Sequence, residues 1–217
     1  ALVSGEAGSG KTALLDEFIL RAGQAHGDLI ALRGSCNAHG GAGDPYLPFR
    51  EMLQTLAGDV EGKRAGGTLS AEQARRAWEA LPAVVAALVE HGPDLLDTLV
   101  PGESLSERAE GFGRPAGAAR WQMQLRAMVR RNQEASALAP QADLFAQVTQ
   151  VLHSVSLGTP LLLAIDDLQW ADGSTAALLF HLGRRLAGSR ILLVCAYRPE
   201  ALQAPPDPTG LERPLGS

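Results

Sequence analysis

The segment Gly5-Glu6-Ala7-Gly8-Ser9-Gly10-Lys11-Thr12 constrains this chain more than any other. It follows a short apolar run, Ala1 to Ser4, and precedes a stretch in which Leu14, Leu15, Phe18 and Ile19 recur at helical spacing. Gly5, Gly10, Lys11 and Thr12 satisfy the pattern G-x-x-x-x-G-K-[ST] between a strand and a helix, which is the context that pattern requires. The glycines let the N–H groups of Glu6, Ala7, Gly8, Ser9, Gly10 and Lys11 turn inward as an anion nest, with no Cβ in the way. Lys11 adds a mobile charge for the β- and γ-phosphates of a nucleotide, Thr12 offers a hydroxyl to a divalent cation, and the helix N-terminus contributes its partial positive charge. A plain glycine-rich turn meets the same letters, so the flanking strand and helix carry the assignment.

The rest of the chain alternates in the way such a loop needs. A second strand is predicted over Asp28 to Gly34, where Leu29-Ile30-Ala31-Leu32 is a short apolar run between glycines. Pro160 to Asp167 is continuously apolar until it ends in acid, the mark of a strand buried on both faces of a parallel sheet. A helix is predicted from Ser174 to Ala187 with Leu178, Leu179, Leu182 and Leu186 on one stripe, then a strand from Ile191 to Ala196 that runs into Tyr197-Arg198-Pro199. Strands alternating with helices imply a doubly wound α/β fold of the P-loop NTPase kind. Between about 44 and 139 no strand is predicted. Helical stretches such as Ala71 to Val89 and Ala118 to Arg131 read as an insertion, broken by a flexible linker over Pro101 to Gly117. The proline-rich tail from Ala204 to Ser217 is predicted to lack regular structure. The expectation is one nucleotide-fold domain over 1–217, cut from a longer protein because it begins inside a strand.

The acidic strand end supplies the second half of the chemistry. Mg²⁺ on a nucleotide calls for a nearby carboxylate, and hydrolysis for a group that orients water. Asp166 is assigned to the metal together with Thr12, and Asp167 to the water as base. Alone, an Asp-Asp after an apolar strand is more often a solvated strand end. Asp172 before Gly173-Ser174 reads as a helix N-cap and Trp170 as packing, with a place at the rim of the site as its alternative. Arg198 closes its strand at the edge where ligands of open α/β sheets collect, so it is either a γ-phosphate sensor or an ordinary surface arginine. Arg126, Arg130 and Arg131 read as a solvated helix face.

A formal net charge of −5 and a pI near 5.5 provide no field for nucleic acid, and the longest apolar run, Leu81 to Val89, is far short of the roughly 20 residues that span a bilayer. The two cysteines, Cys36 and Cys195, have no companion His or Cys to complete a metal site and read as buried thiols in a reducing cytoplasm.

Four segments together resemble a known family: Gly5 to Thr12, Asp44-Pro45-Tyr46-Leu47-Pro48-Phe49, Leu161 to Asp172 with its Asp166-Asp167-Leu168-Gln169-Trp170-Ala171-Asp172 core, and Ala196-Tyr197-Arg198-Pro199-Glu200. They look like the AAA-type ATPase domain of bacterial signal-transduction NTPases, the STAND class found in large LuxR-type, MalT-like regulators. The resemblance implies a sheet of order 5-1-4-3-2, ATP with Mg²⁺ as cofactors, and Arg198 as the sensor on the fourth strand. It also implies a switch in which ATP favours an assembled state of the full-length protein. The family's upstream base-holding segment and its downstream winged-helix and DNA-binding regions have no counterpart here. The base-binding residues are thus unassigned, and this segment is expected to bind no nucleic acid and to be monomeric. The resulting expectation is a slow, Mg-dependent ATPase module that switches the rest of its parent regulator, with a nucleotide-holding switch of negligible turnover as the alternative.

Overall fold

The computed structural model describes residues 1–37, 44–112, 118–134 and 140–200. Four strands, β1 (Leu2–Ser4), β2 (Ile30–Ser35), β3 (Leu161–Asp166) and β4 (Ile191–Tyr197), form one sheet of order β1-β4-β3-β2 in which every pairing is parallel. This is the 1-4-3-2 part of the expected order, and no fifth strand occurs among the described residues. The helices are α1 (Lys11–Ala25), α2 (Leu47–Leu56), α3 (Glu61–Ala65), α4 (Ala71–His91), α5 (Gly102–Gly111), α6 (Ala118–Glu134), α7 (Gln141–Gly158) and α8 (Gly173–Arg185). The chain divides into two compact units. The first holds Ala1–Met52, Leu161–Ala187 and the residues from Ile191 on, and the second Leu53–Pro160 with Gly188–Arg190.

In the first unit the parallel register decides what meets what. Ser4 lies level with Tyr197, Cys195 with Ile165, and Ser35 with Asp166, so the ends of all four strands emerge at one edge. Every residue of β3 is buried, as a strand covered on both faces must be. On one face Ala31, Leu162, Ala164, Val194 and Ala196 pack with Leu15 of α1, and Val3, Ile19 and Ala22 close over them. The predicted stripe of α1 is narrower than its sequence suggested. Leu15 and Ile19 face the sheet, but Leu14 and Phe18 are exposed, because a helix lying on a sheet buries one row of side chains rather than two.

Gly34 in β2 marks a close approach. A Cβ there would lie 2.3 Å from the carbonyl oxygen of Pro48 and 2.6 Å from its Cα, both backbone atoms of α2. The segment before α2 is pinned as well: Tyr46 adopts φ 65°, Phe49 is buried, and Arg50 pairs with Asp44.

In the second unit α4 is the longest helix, and Ala74, Ala77, Leu81, Val84, Val85 and Leu88 form its buried row. Ser70 caps it by accepting the Gln73 N–H at 3.2 Å. One reading needs correction here. The stretch from Pro101, expected to be a flexible linker, forms α5 with Leu105 and Ala109 buried. Its glycines sit at the helix ends rather than breaking it. Gly102 donates its N–H to Asp97, and a Cβ on it would meet Val129 at 2.7 Å. The rest of that predicted linker beyond Phe112 and the tail from Ala204 lie outside the described residues. Helix α7, over which nothing was predicted, buries Leu144, Phe145, Val148, Val151, Leu152 and Val155 at 3–4 spacing. No helix among the described residues is long and apolar enough to cross a membrane.

Gly34→Ala should destabilise the protein by about 2 kcal/mol or more, because the clash is with backbone and no side chain can step aside. Gly27→Ala is the control, since a Cβ there meets nothing within 4 Å. Urea midpoints of the two variants against the parent check the difference.

Candidate functional site

The loop between β1 and α1 is built on its glycines. Gly8 and Gly10 take φ 76° and 87°, which residues with a Cβ rarely adopt, and a Cβ on Gly5 would sit 2.6 Å from Ser9 Oγ. Gly10 is the N-cap of α1, and the first turn of that helix holds no acidic residue and no side-chain cap. The positive end of the helix dipole therefore faces the loop uncompensated. Lys11 Nζ folds back to donate to the carbonyls of Gly5 and Glu6, both at 2.7 Å, so the loop's own backbone satisfies two of its donors.

At the second residue of α1, Thr12 Oγ1 donates to Asp166 Oδ2 at 2.8 Å, joining the loop to the end of β3 across a sequence separation of 154 residues. Asp166 is 3 % exposed, and a carboxylate so buried needs donors. It has three. Besides Thr12, Arg33 Nη2 reaches Oδ2 at 2.9 Å, and the Asp167 N–H reaches Oδ1 at 2.9 Å. Arg33 is held in turn by Asp16 of α1. The Asp166 carbonyl accepts the Cys36 N–H at 3.0 Å, which ties the next strand end to the same point.

Asp167 has φ 53°, a left-handed backbone, and its carboxylate accepts from Gln169 Nε2 at 2.7 Å. Gln169 Oε1 accepts the Arg198 N–H at 3.0 Å, and Arg198 Nη2 lies 3.7 Å from Asp167 Oδ1. Arg198 Nε is buried with no hydrogen-bond partner among the described residues. The structure thus brings the residues singled out from the sequence into two adjoining groups, Lys11 with Thr12 and Asp166, and Asp167 with Arg198.

Asp172 accepts the N–H groups of Ser174 and Thr175 and so caps α8, as predicted. Trp170 does not pack into the core. It is 43 % exposed and stands at the rim of a shallow cleft with Cys36, Asn37, Asp44, Leu47, Pro48, Ala171 and Asp172. Gln169 and Arg33 were not predicted as site residues. The signal for Arg33 was present, since it is a charged residue in the middle of an otherwise apolar strand. That for Gln169 was not, because its two bonds join segments 29 residues apart.

Residues 1–194 match the AAA ATPase domain. The chain belongs to that family. No curated protein and no solved structure matches it. Membership in the AAA ATPase domain family implies nucleotide binding, with ATP and, as a rule, Mg²⁺. The donors suit such a cation in type, because the hydroxyl of Thr12 and the carboxylate of Asp166 are hard oxygen ligands. Among the described residues no group of three His, Cys, Asp or Glu side chains forms a metal cage in this AAA ATPase domain.

Both thiols of the domain are free and buried. Burial first, and then the nearby carboxylates led by Asp172, push Cys36 up to about 12, while burial pushes Cys195 up to about 11. Neither should react with iodoacetamide at pH 8 in the native protein, and both should react in denaturant, as mass spectrometry would show. The sign of the pH effect follows. The unfolded chain loses these protons first, so stability should fall as pH rises above the ordinary thiol value of 9.0.

Proposed function

We propose that this AAA ATPase domain binds and slowly hydrolyses Mg-ATP as the switch of a larger bacterial regulator of the STAND kind. The observation that carries the reading is the Thr12–Asp166 hydrogen bond, which puts the hydroxyl at the end of the glycine loop on the acidic end of β3. In the proposed cycle the backbone N–H groups of Glu6, Ala7, Gly8, Ser9, Gly10 and Lys11 hold the phosphates. Lys11 Nζ leaves the carbonyls of Gly5 and Glu6 for the β- and γ-phosphate oxygens. Thr12 and Asp166 would hold Mg²⁺, which when bound screens the phosphate charge. Asp167 accepts a hydrogen bond from the attacking water and orients it. Arg198, beside Asp167, is the candidate contact to the γ-phosphate.

A nucleotide-holding switch with negligible turnover is the second reading, and one observation favours it. Asp167 is already engaged by Gln169 and approached by Arg198, so its carboxylate has to be released before it meets a water. In either reading the rest of the parent chain, nucleotide-dependent self-association and a cytoplasmic setting belong to the proposal. So does the view that the stretch from about 44 to 139 is a helical insertion.

Lys11→Ala should weaken Mg-ATP binding at least about tenfold, the worth of a charge-assisted contact, as read by calorimetry. Binding within about twofold of the parent would sink the assignment of the loop. Asp167→Asn should bind Mg-ATP about as tightly as the parent while its steady-state phosphate release falls at least about tenfold. Equal turnover in parent and variant would remove Asp167 from the chemistry. A parent that binds ATP but releases no phosphate would establish the second reading.

A further inference from the structure

We infer that Arg33 is a positioning residue for the Thr12–Asp166 pair, a built-in cation that holds the buried carboxylate without metal and, through its second bond to Asp16, sets how readily Mg²⁺ is accepted there. The inference rests on the nucleotide site proposed above.

Three observations lead to it. First, Arg33 interrupts a strand whose neighbours Ile30, Ala31 and Leu32 are buried, and its own side chain, 30 % exposed, is largely withdrawn from water, so that carboxylates within the fold take over much of the matching of its charge. Second, its two Nη atoms serve two carboxylates of different surroundings. Nη2 donates to Asp166, whose side chain is 4 % exposed, and Nη1 donates to Asp16, whose side chain is 51 % exposed. Third, the bond to Asp166 falls on Oδ2, the oxygen that also accepts from Thr12, while Oδ1 is taken by the Asp167 N–H.

These contacts give Arg33 a defined electrostatic role. With no metal present, its charge compensates a carboxylate that has almost no water to do so. Once Mg²⁺ is to sit beside Asp166, the same charge opposes the ion, and the bond on Oδ2 competes with it for one oxygen. Asp16 acts on the balance from outside by drawing the guanidinium away from Asp166. Asp16 and Arg33 therefore tune the site in opposite directions. Asp16 acts only through Arg33, because its own charge faces solvent and is screened.

The test is a MgCl₂ titration of the protein with a fluorescent ADP, reading the Mg²⁺ midpoint of nucleotide binding, together with thermal melting in EDTA; neither needs turnover. Arg33→Met should lower the Mg²⁺ midpoint about tenfold and lower the melting temperature in EDTA, since it removes the partner of a buried charge. Arg33→Lys should bring the midpoint back to within about threefold of the parent by restoring the charge without the fork. Asp16→Asn should raise the midpoint about threefold, the size of a half-exposed contact, and should leave it unchanged in the Arg33→Met background. A midpoint that Arg33→Met leaves unmoved or raises overturns the inference. So does an Asp16→Asn shift that is equal in both backgrounds. If Arg33→Met fails to fold, Asp16→Asn at its half-exposed position decides alone, and an unmoved midpoint counts against the role. A parent that binds no ADP at any Mg²⁺ concentration defeats the nucleotide-site reading itself, whereas a parent that binds with Mg²⁺ while no variant shifts its midpoint defeats only the role of Arg33.

Discussion

A carboxylate buried at the end of a central strand organises the sheet edge of this protein. Asp166 cannot rely on water for its charge, and an uncompensated buried ion costs about 3–5 kcal/mol. The fold meets that cost from three directions. Thr12 comes from the start of α1, Arg33 from β2, and the third donor is the backbone of the next residue. Each donor also fixes something else. The Thr12 bond sets where α1 begins relative to β3, and the Arg33 bond ties β2 and Asp16 of α1 to the same oxygen.

Around this anchor, polar groups satisfy one another within the protein. Lys11 rests on the carbonyls of its own loop, and Gln169 bridges Asp167 to the backbone of Arg198. Such contacts exchange only for partners of like strength. Hydrogen bonds to charged groups are worth about 1.5–3 kcal/mol net, and phosphate oxygens of a nucleotide would replace the carbonyls on Lys11 with charge-assisted bonds of at least that size. The left-handed backbone of Asp167 belongs to the same arrangement. The Asp167 carboxylate accepts from Gln169 while the Asp167 N–H donates to Asp166, so the two adjacent acids are held by different partners.

The second unit follows ordinary helix packing. Its helices bury rows of Leu, Val and Ala, and close approaches are made where glycine allows them, as at Gly102 against Val129. Glycine and proline counts mislead in such a region. The same residues that signal a break also occur at helix ends and within a helix, as Pro82 does inside α4.

Much of the site was legible in the sequence because its chemistry is local. The glycine spacing, Lys11 and Thr12 form one short segment, and the strand ending in Asp166-Asp167 declares itself by a run of apolar residues that stops at acid. The alternation of strands and helices was enough for a parallel α/β sheet, and Asp172 could be read as a cap from its place before Gly173-Ser174. Tertiary structure alone decided which of these local signals meet. The Thr12–Asp166 bond, the bridge of Gln169 to Arg198 and the reach of Arg33 to Asp16 depend on strand order and register, which bring distant residues to one edge. Tertiary packing also decided which side of α1 faces the sheet, turning Leu14 and Phe18 outward, and it ordered α5 where breaker residues had suggested a linker. Short-range patterns record what a segment prefers by itself. Burial of a charge is settled only by what the folded chain places beside it.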